Sequence, residues 1–300
     1  MKRLVFAVCI YLLGLLSSPV FAQKLKIIAS IFPLAEIAQE IGGEEAEVRL
    51  LLPPGADPHS WEPTPKDILN LKKADLLLAV GGGLEPWLED ILAGLKAQDL
   101  KILLAAGEKG HHHEHLHGRD PHVWLDFLKD AELSLLLAET LAKIYPQKAS
   151  YFRKRGQIAA QKFKKLHQTF AQTLQTCRFR VVPLAGHDAF RAWEKNYHLE
   201  FVTLAGQSPE AEPTPQALKK IIFLLRRLGL KAIYYDEPQA LRFAKIIARE
   251  SGAKVYFLTP GASLTKEELE EKISFFSLME RNLKNLSLGL ECRLTKTGQN

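Results

Sequence analysis

The sequence predicts an α/β protein of two lobes, each a mostly parallel sheet flanked by helices, joined by one long rigid helix. Three observations carry this. Short apolar runs of strand character alternate with helical runs along most of the chain. The alternation stops once, at a long helical stretch, and then resumes. A segment opening with Glu-Pro-Thr-Pro occurs in each half, at Glu62 and at Glu212, and each copy leads into an amphipathic helix, Lys-Ala and a strand.

The first 22 residues stand apart from this pattern. Lys2 and Arg3 precede an apolar run from Leu4 to Leu16, and Val20-Phe21-Ala22 closes it. This is the form of a secretory signal cleaved after Ala22, and the run is short for a bilayer span. Cys9 lacks the residues expected before a lipidated cysteine. The rest of the chain is expected to be exported, and its removal of two basic residues lowers the formal charge from +6 to +4. A hydrophobic share of 47% and a charged share of 25% are those of a globular protein. No basic block is interleaved with aromatics, which argues against nucleic-acid binding.

Strands are expected at 26–30, 47–52, 75–80 and 101–105, with helical runs between them, in a first lobe covering 23–146. The stretch 147–175 is the joining helix, ~40 Å long at 1.5 Å per residue. The second lobe, 176–300, has strands at 179–185, 200–205, 231–236 and 254–259. Thr64 and Thr214 suit helix N-caps, with Pro65 and Pro215 in the first turn. Cys177 and Cys292 remain after cleavage. An oxidising compartment permits a disulfide, and their pairing is a matter of distance.

Chemistry concentrates in the histidines. Asp-Pro-His-Ser-Trp at 57–61 is echoed by Asp-Pro-His-Val-Trp at 120–124. Proline stiffens each loop, the Asp is placed to accept from the outer ring N–H of the histidine, and the Trp can wall off water. His187, after the strand 179–185 and a glycine, has the address at which open α/β sheets bind ligands. His59, His122 and His187 therefore form the candidate metal set, suited to Zn²⁺ with a fourth position left for water or a carboxylate. Between Gly110 and Gly118, His111, His112, His113, His115 and His117 form a tract without apolar periodicity, read as a mobile loop that gathers zinc weakly.

At this point the motifs resemble a known family. "LLPPGADPHSWEPTPKDI", "KADLLLAVGGGLEPWLEDIL", the histidine-rich loop, "DPHVWLD", "GHDAFRAWEKNY", "SPEAEPTPQAL" and "SFFSLMERNLKNL" are similar to the periplasmic zinc-binding proteins of ABC-type zinc uptake systems, within the zinc/manganese solute-binding family. The resemblance runs from Lys24 to about Leu290. It implies two lobes joined by a long helix with the metal between them, the same three histidines as ligands, no enzymatic activity, a periplasmic monomer, and delivery of Zn²⁺ to a membrane permease. Some relatives carry an Asp as fourth ligand where this chain has Thr259, so water, Glu62, Glu237 or a loop histidine is left for that place. Losing a carboxylate while keeping a third histidine favours zinc over manganese. Two alternatives stand beside this reading: an exported zinc hydrolase, since catalytic zinc is also held by three side chains with an open position, and a manganese-transport protein or adhesin of the same family.

Overall fold

The computed structural model describes residues 24–94, 100–107, 120–205 and 213–293. The expected signal at 1–22 and the histidine tract at 110–118 lie outside these residues.

The first half alternates β1 (Leu25–Ala29), α1 (Phe32–Gly42), β2 (Ala46–Leu50), α2 (Pro65–Leu71), β3 (Leu76–Ala79), α3 (Leu88–Gly94) and β4 (Lys101–Leu104). The strands are parallel in the order β2-β1-β3-β4. All four residues of β3 are buried, because helices cover both faces of a parallel sheet and leave its central strand no polar side. The Glu-Pro-Thr-Pro segment starts α2 as expected: Thr64 accepts from the Asp67 N–H, Asp67 returns a bond to the Thr64 N–H, and Pro65 fills the first helical position. Such a cap is worth ~1 kcal/mol.

Two helices then break the alternation. α4 (Phe127–Ile144), which the periodicity does not announce, packs antiparallel against α5 (Ala149–Leu174), the joining helix. Their crossing is close at Gly156, where a Cβ would stand 2.4 Å from Ala138 Cβ. The joining helix is therefore one member of a hairpin. Its buried face, Phe152, Phe163, Phe170 and Leu174, touches elements from both halves. Phe170 packs on Phe127 from the first half and on Trp193 and Tyr197 from the second. Part of its basic face is paired: Arg153 with Glu139 and Lys162 with Glu40.

The second half repeats the first: β5 (Val181–Ala185), α6 (Arg191–Tyr197), β6 (Glu200–Thr203), α7 (Pro215–Leu228), β7 (Ala232–Tyr235), α8 (Leu241–Ser251) and β8 (Lys254–Phe257), followed by α9 (Lys266–Glu270) and α10 (Phe275–Gly289). Its parallel sheet has the order β6-β5-β7-β8, the same topology as the first. α2 and α7, the two helices opened by Glu-Pro-Thr-Pro, occupy equivalent places, and Thr214 caps α7 by accepting from the Ala217 N–H. Cys177 and Cys292 are disulfide-bonded, 115 residues apart, which ties the end of α5 to the end of α10. A loop of that length gives ~4–5 kcal/mol in the chain-entropy account.

The halves are stitched directly. The Phe32 N–H donates to Ala262 O at 3.0 Å, Trp124 Nε1 to Pro260 O at 2.8 Å, and Trp193 Nε1 to Leu125 O at 2.9 Å. With these bonds and a shared aromatic core, wide hinge motion would break buried contacts, so loop movement is the cheaper response. Among the described residues, no helix is long and apolar enough to cross a membrane.

Candidate metal centre

The carboxyl ends of the two sheets face one another across a cavity of about 160 Å³. His59, His122 and His187 meet on its wall, with one nitrogen of each within 4.8 Å of the others. Among the described residues they are the group of metal-ligating side chains so arranged. They come from three places: the loop after β2, a short 3₁₀ turn before α4, and the loop after β5.

The spacing is informative. His122 Nε2 lies 3.3 Å from His59 Nε2 and 3.3 Å from His187 Nε2. Two nitrogens bonded to zinc at about 2.05 Å in a tetrahedron stand roughly 3.3 Å apart. The rings tilt or stand edge-on, with centroids 5.2–5.8 Å apart, so no stacked pair fills the space between the Nε2 atoms.

Each ring is held differently. His122 is 2% exposed and its Nδ1 lies 2.8 Å from Asp120 Oδ1, the contact expected from the motif. Trp124, 1% exposed, packs on the His122 ring and walls the cavity. The first copy departs from that expectation. Asp57 Oδ1 accepts the main-chain N–H of His59, and Trp61 turns away to pack edge-on against Trp87. His187 is 2% exposed. Its main-chain N–H donates to Asp236 Oδ2 at 2.9 Å. Its Nδ1 lies 2.7 Å from the same oxygen, close enough for the carboxylate to attract a proton on Nδ1 although the angle is bent from the ideal line.

Charge follows burial. Burial and the neighbouring His122 and His187, against the pull of Asp57, push the His59 ring down to about 4. Burial also lowers His187, but Asp236, Glu237 and Asp57 outweigh it and leave its pKa raised. Burial and repulsion from Asp236 push Glu237 up to about 7.

The fourth-ligand candidates separate. Glu62 is exposed and is absent from the cavity wall, whereas Glu237 lines it with Oε1 4.0 Å from His187 Nδ1. Thr259 also lines the cavity, and its hydroxyl accepts from the Gly261 N–H. The histidine tract lies outside the described residues. His167 and His198 stay away from the site: His167 lies against the Tyr197 hydroxyl, and His198 is an exposed left-handed cap of α6. The reading from residues overlooked Asp236. The signal was the acid pair Asp236-Glu237 just past a strand, the same address that singled out His187.

Known proteins share this architecture. The chain is similar to the zinc-binding protein AdcA of Streptococcus pyogenes, 27% identical over 88% of this chain and 56% of the relative, so it spans about half the length of that curated relative. It is 31% identical to the high-affinity zinc uptake system protein ZnuA of Bacillus subtilis, over 87% of this chain and 86% of the relative. The structure of the Zn(II)-bound ZnuA-like domain of Streptococcus pneumoniae AdcA superposes with a TM-score of 0.78 at 28% identity, covering 90% of this chain and all of that one. The family model for the periplasmic zinc-uptake complex component A matches residues 27–289, and with two like sheets meeting at three histidines, the chain belongs to that family.

Proposed function

We propose that this protein captures Zn²⁺ outside the cytoplasm and delivers it to the membrane permease of an ABC transporter. The observation that carries this reading is the pair of 3.3 Å spacings about His122 Nε2, matching the edge of a zinc tetrahedron, in a cavity open to solvent. His59, His122 and His187 are the ligands in this proposal. Glu237 lines the same cavity, whereas Glu62 does not, but it approaches His187 Nδ1 and not the Nε2 side, so water is the first candidate for the fourth position and Glu237 its competitor.

Among the described residues the grouped ligands are three imidazoles with no carboxylate among them, which suits zinc over manganese, the ion that prefers more oxygen. Zinc is cargo here, so the protein's task is reversible binding. His122 and His187 are buried and held by carboxylates, which lowers the cost of ordering them when the ion arrives. None of the matched proteins described above is named as a hydrolase, and that alternative is set aside. The tract His111, His112, His113, His115 and His117 is the auxiliary part of the proposal, raising the local zinc concentration by weak multivalent binding.

Competitive titration with zinc and manganese on purified protein tests the reading. Tight zinc binding at one site, lost in His59→Ala and His187→Ala, is expected. Deleting 111–117 should lower the number of zinc ions bound and spare the tight site. Manganese outcompeting zinc, or loss of all tight binding on that deletion, would contradict it.

A further inference from the structure

We infer that Asp236 is the positioning residue that fixes the His187 ring for the ion, and that the missing side chain at Gly186 is what lets it reach. The inference rests on the zinc-capture reading and extends it to residues that bear no metal.

β5 and β7 are neighbours in register, Leu184 beside Tyr234 and Ala185 beside Tyr235. The next rung beyond the strands brings residue 186 alongside residue 236. Asp236 is 3% exposed there, and one oxygen, Oδ2, serves His187 twice. It accepts the main-chain N–H at 2.9 Å and stands 2.7 Å from ring Nδ1. The other oxygen, Oδ1, lies 2.0 Å from where a Cβ on residue 186 would be. The carboxylate thus fills the space that any residue other than glycine would take.

The consequence is directional. A carboxylate against Nδ1 favours the tautomer with its proton on Nδ1 and the lone pair on Nε2. Nε2 is the atom that lies 3.3 Å from His122 Nε2. A half-turn of the ring would replace Nδ1 by carbon at the carboxylate and remove Nε2 from the metal position. Glu237 is a poor substitute: its Oε1 is 4.0 Å from Nδ1 and its Oε2 accepts from Gln239. His187 and Asp236 are both shut away from solvent, so water is a poor replacement partner as well. His122 has the same kind of support from Asp120, two residues away; His187 draws it from a residue 49 positions along the chain.

Asp236→Asn is the informative variant. Asparagine keeps the size and an oxygen for the main-chain N–H but loses the charge that holds Nδ1. Three readouts apply: the His187 tautomer in metal-free protein from long-range ¹⁵N–¹H ring correlations, the zinc dissociation constant by chelator competition, and the visible spectrum of the cobalt(II)-loaded protein. Expected are a mixed tautomer, zinc affinity weaker by roughly ten- to a hundredfold, and an altered cobalt spectrum, with the melting temperature of metal-free protein nearly unchanged. Gly186→Ala, which keeps the carboxylate but drives it from its seat, should act in the same direction. If Gly186→Ala does not fold, Asp236→Asn decides alone. An Asp236→Asn protein with the original tautomer and zinc affinity would overturn the inference. The tautomer is read without metal, so this failure is distinct from that of the zinc reading, which would show as wild-type protein that does not bind zinc.

Discussion

The two Asp-Pro-His-x-Trp segments have the same local form and different surroundings. In both, the Asp side chain accepts the main-chain N–H of the histidine, at 2.9 Å for His59 and 3.0 Å for His122. That bond is a property of the motif. The rest is not shared. Asp120 also reaches the ring of His122, and Trp124 is buried across the boundary between the halves, donating to Pro260 O. Asp57 bonds the His59 main chain and, among the described residues, no carboxylate is bonded to its ring, while Trp61 packs into the small core behind β3. His59 is only partly buried, in a loop fastened to the second half at Gly55, whose N–H donates to Leu264 O at 2.8 Å. A duplicated motif dictates a duplicated turn, and tertiary packing decides whether its Asp and Trp serve the site. The candidate site is thus a firm pair, His122 and His187, closed by a looser His59.

The largest contrast is in stability. Trp124→Ala removes a fully buried indole and is expected to cost ~3–5 kcal/mol, while Trp61→Ala should cost less than half of that. Chemical denaturation of the metal-free proteins measures both; equal losses would erase the distinction between the two copies.

Zinc affinity comes next. A site of on the order of 10 kcal/mol shared by three imidazoles loses roughly a hundredfold or more on removal of one. His122→Ala should lose more than His59→Ala, because a ligand that must be ordered on binding contributes less net. The reverse ranking would show that His59 is the anchor.

Changing the acids should sharpen the comparison further. Asp120→Asn is expected to weaken zinc binding roughly tenfold or more through the His122 ring. Asp57→Asn keeps an oxygen for the main-chain N–H and should change affinity by about a factor of two or three.

The pH dependence tests the same contrast through protonation. Zinc needs neutral imidazoles, so affinity falls wherever a proton must first leave. His187, with its raised pKa, holds a proton to higher pH than an ordinary histidine, and zinc affinity should decline by about tenfold per pH unit below its titration. His59, pushed down to about 4, binds no competing proton until well into acid. Titrations from pH 8 to pH 5 should therefore show affinity falling as His187 takes up its proton, with His59 adding little to the fall. For metal-free protein the stability signs differ. The His187 contribution is present below its unfolded value and is lost as pH rises through the raised one. The His59 penalty grows as pH falls from about 6.5 toward about 4.

Much of this was legible in the residues because it depends on local pattern. Parallel strands with covered faces read as apolar runs, so all eight expected strands appear with ends shifted by up to two residues. The paired Thr-Pro helix starts signalled two lobes of one topology. The three histidines were singled out by their addresses after strands and by the repeat, and the structure brings their nitrogens together. What stayed hidden is non-local. Helix Phe127–Ile144 buries one face at a regular helical spacing, but Leu128, Leu135 and Leu136 stand exposed on the other, so apolar residues run unbroken from Leu135 to Ala138 and the period is blurred in the sequence. Asp236 meets His187 only because β5 and β7 are neighbours, and Trp61 and Trp124 differ only in what surrounds them.

Anomalous diffraction at the zinc edge from crystals of the zinc-loaded protein tests the central claim most directly. The expected result is one strong peak in the cavity between the two sheets, about 2.0–2.1 Å from Nε2 of His59, His122 and His187. A peak elsewhere, or an ion held without these three nitrogens, would contradict it.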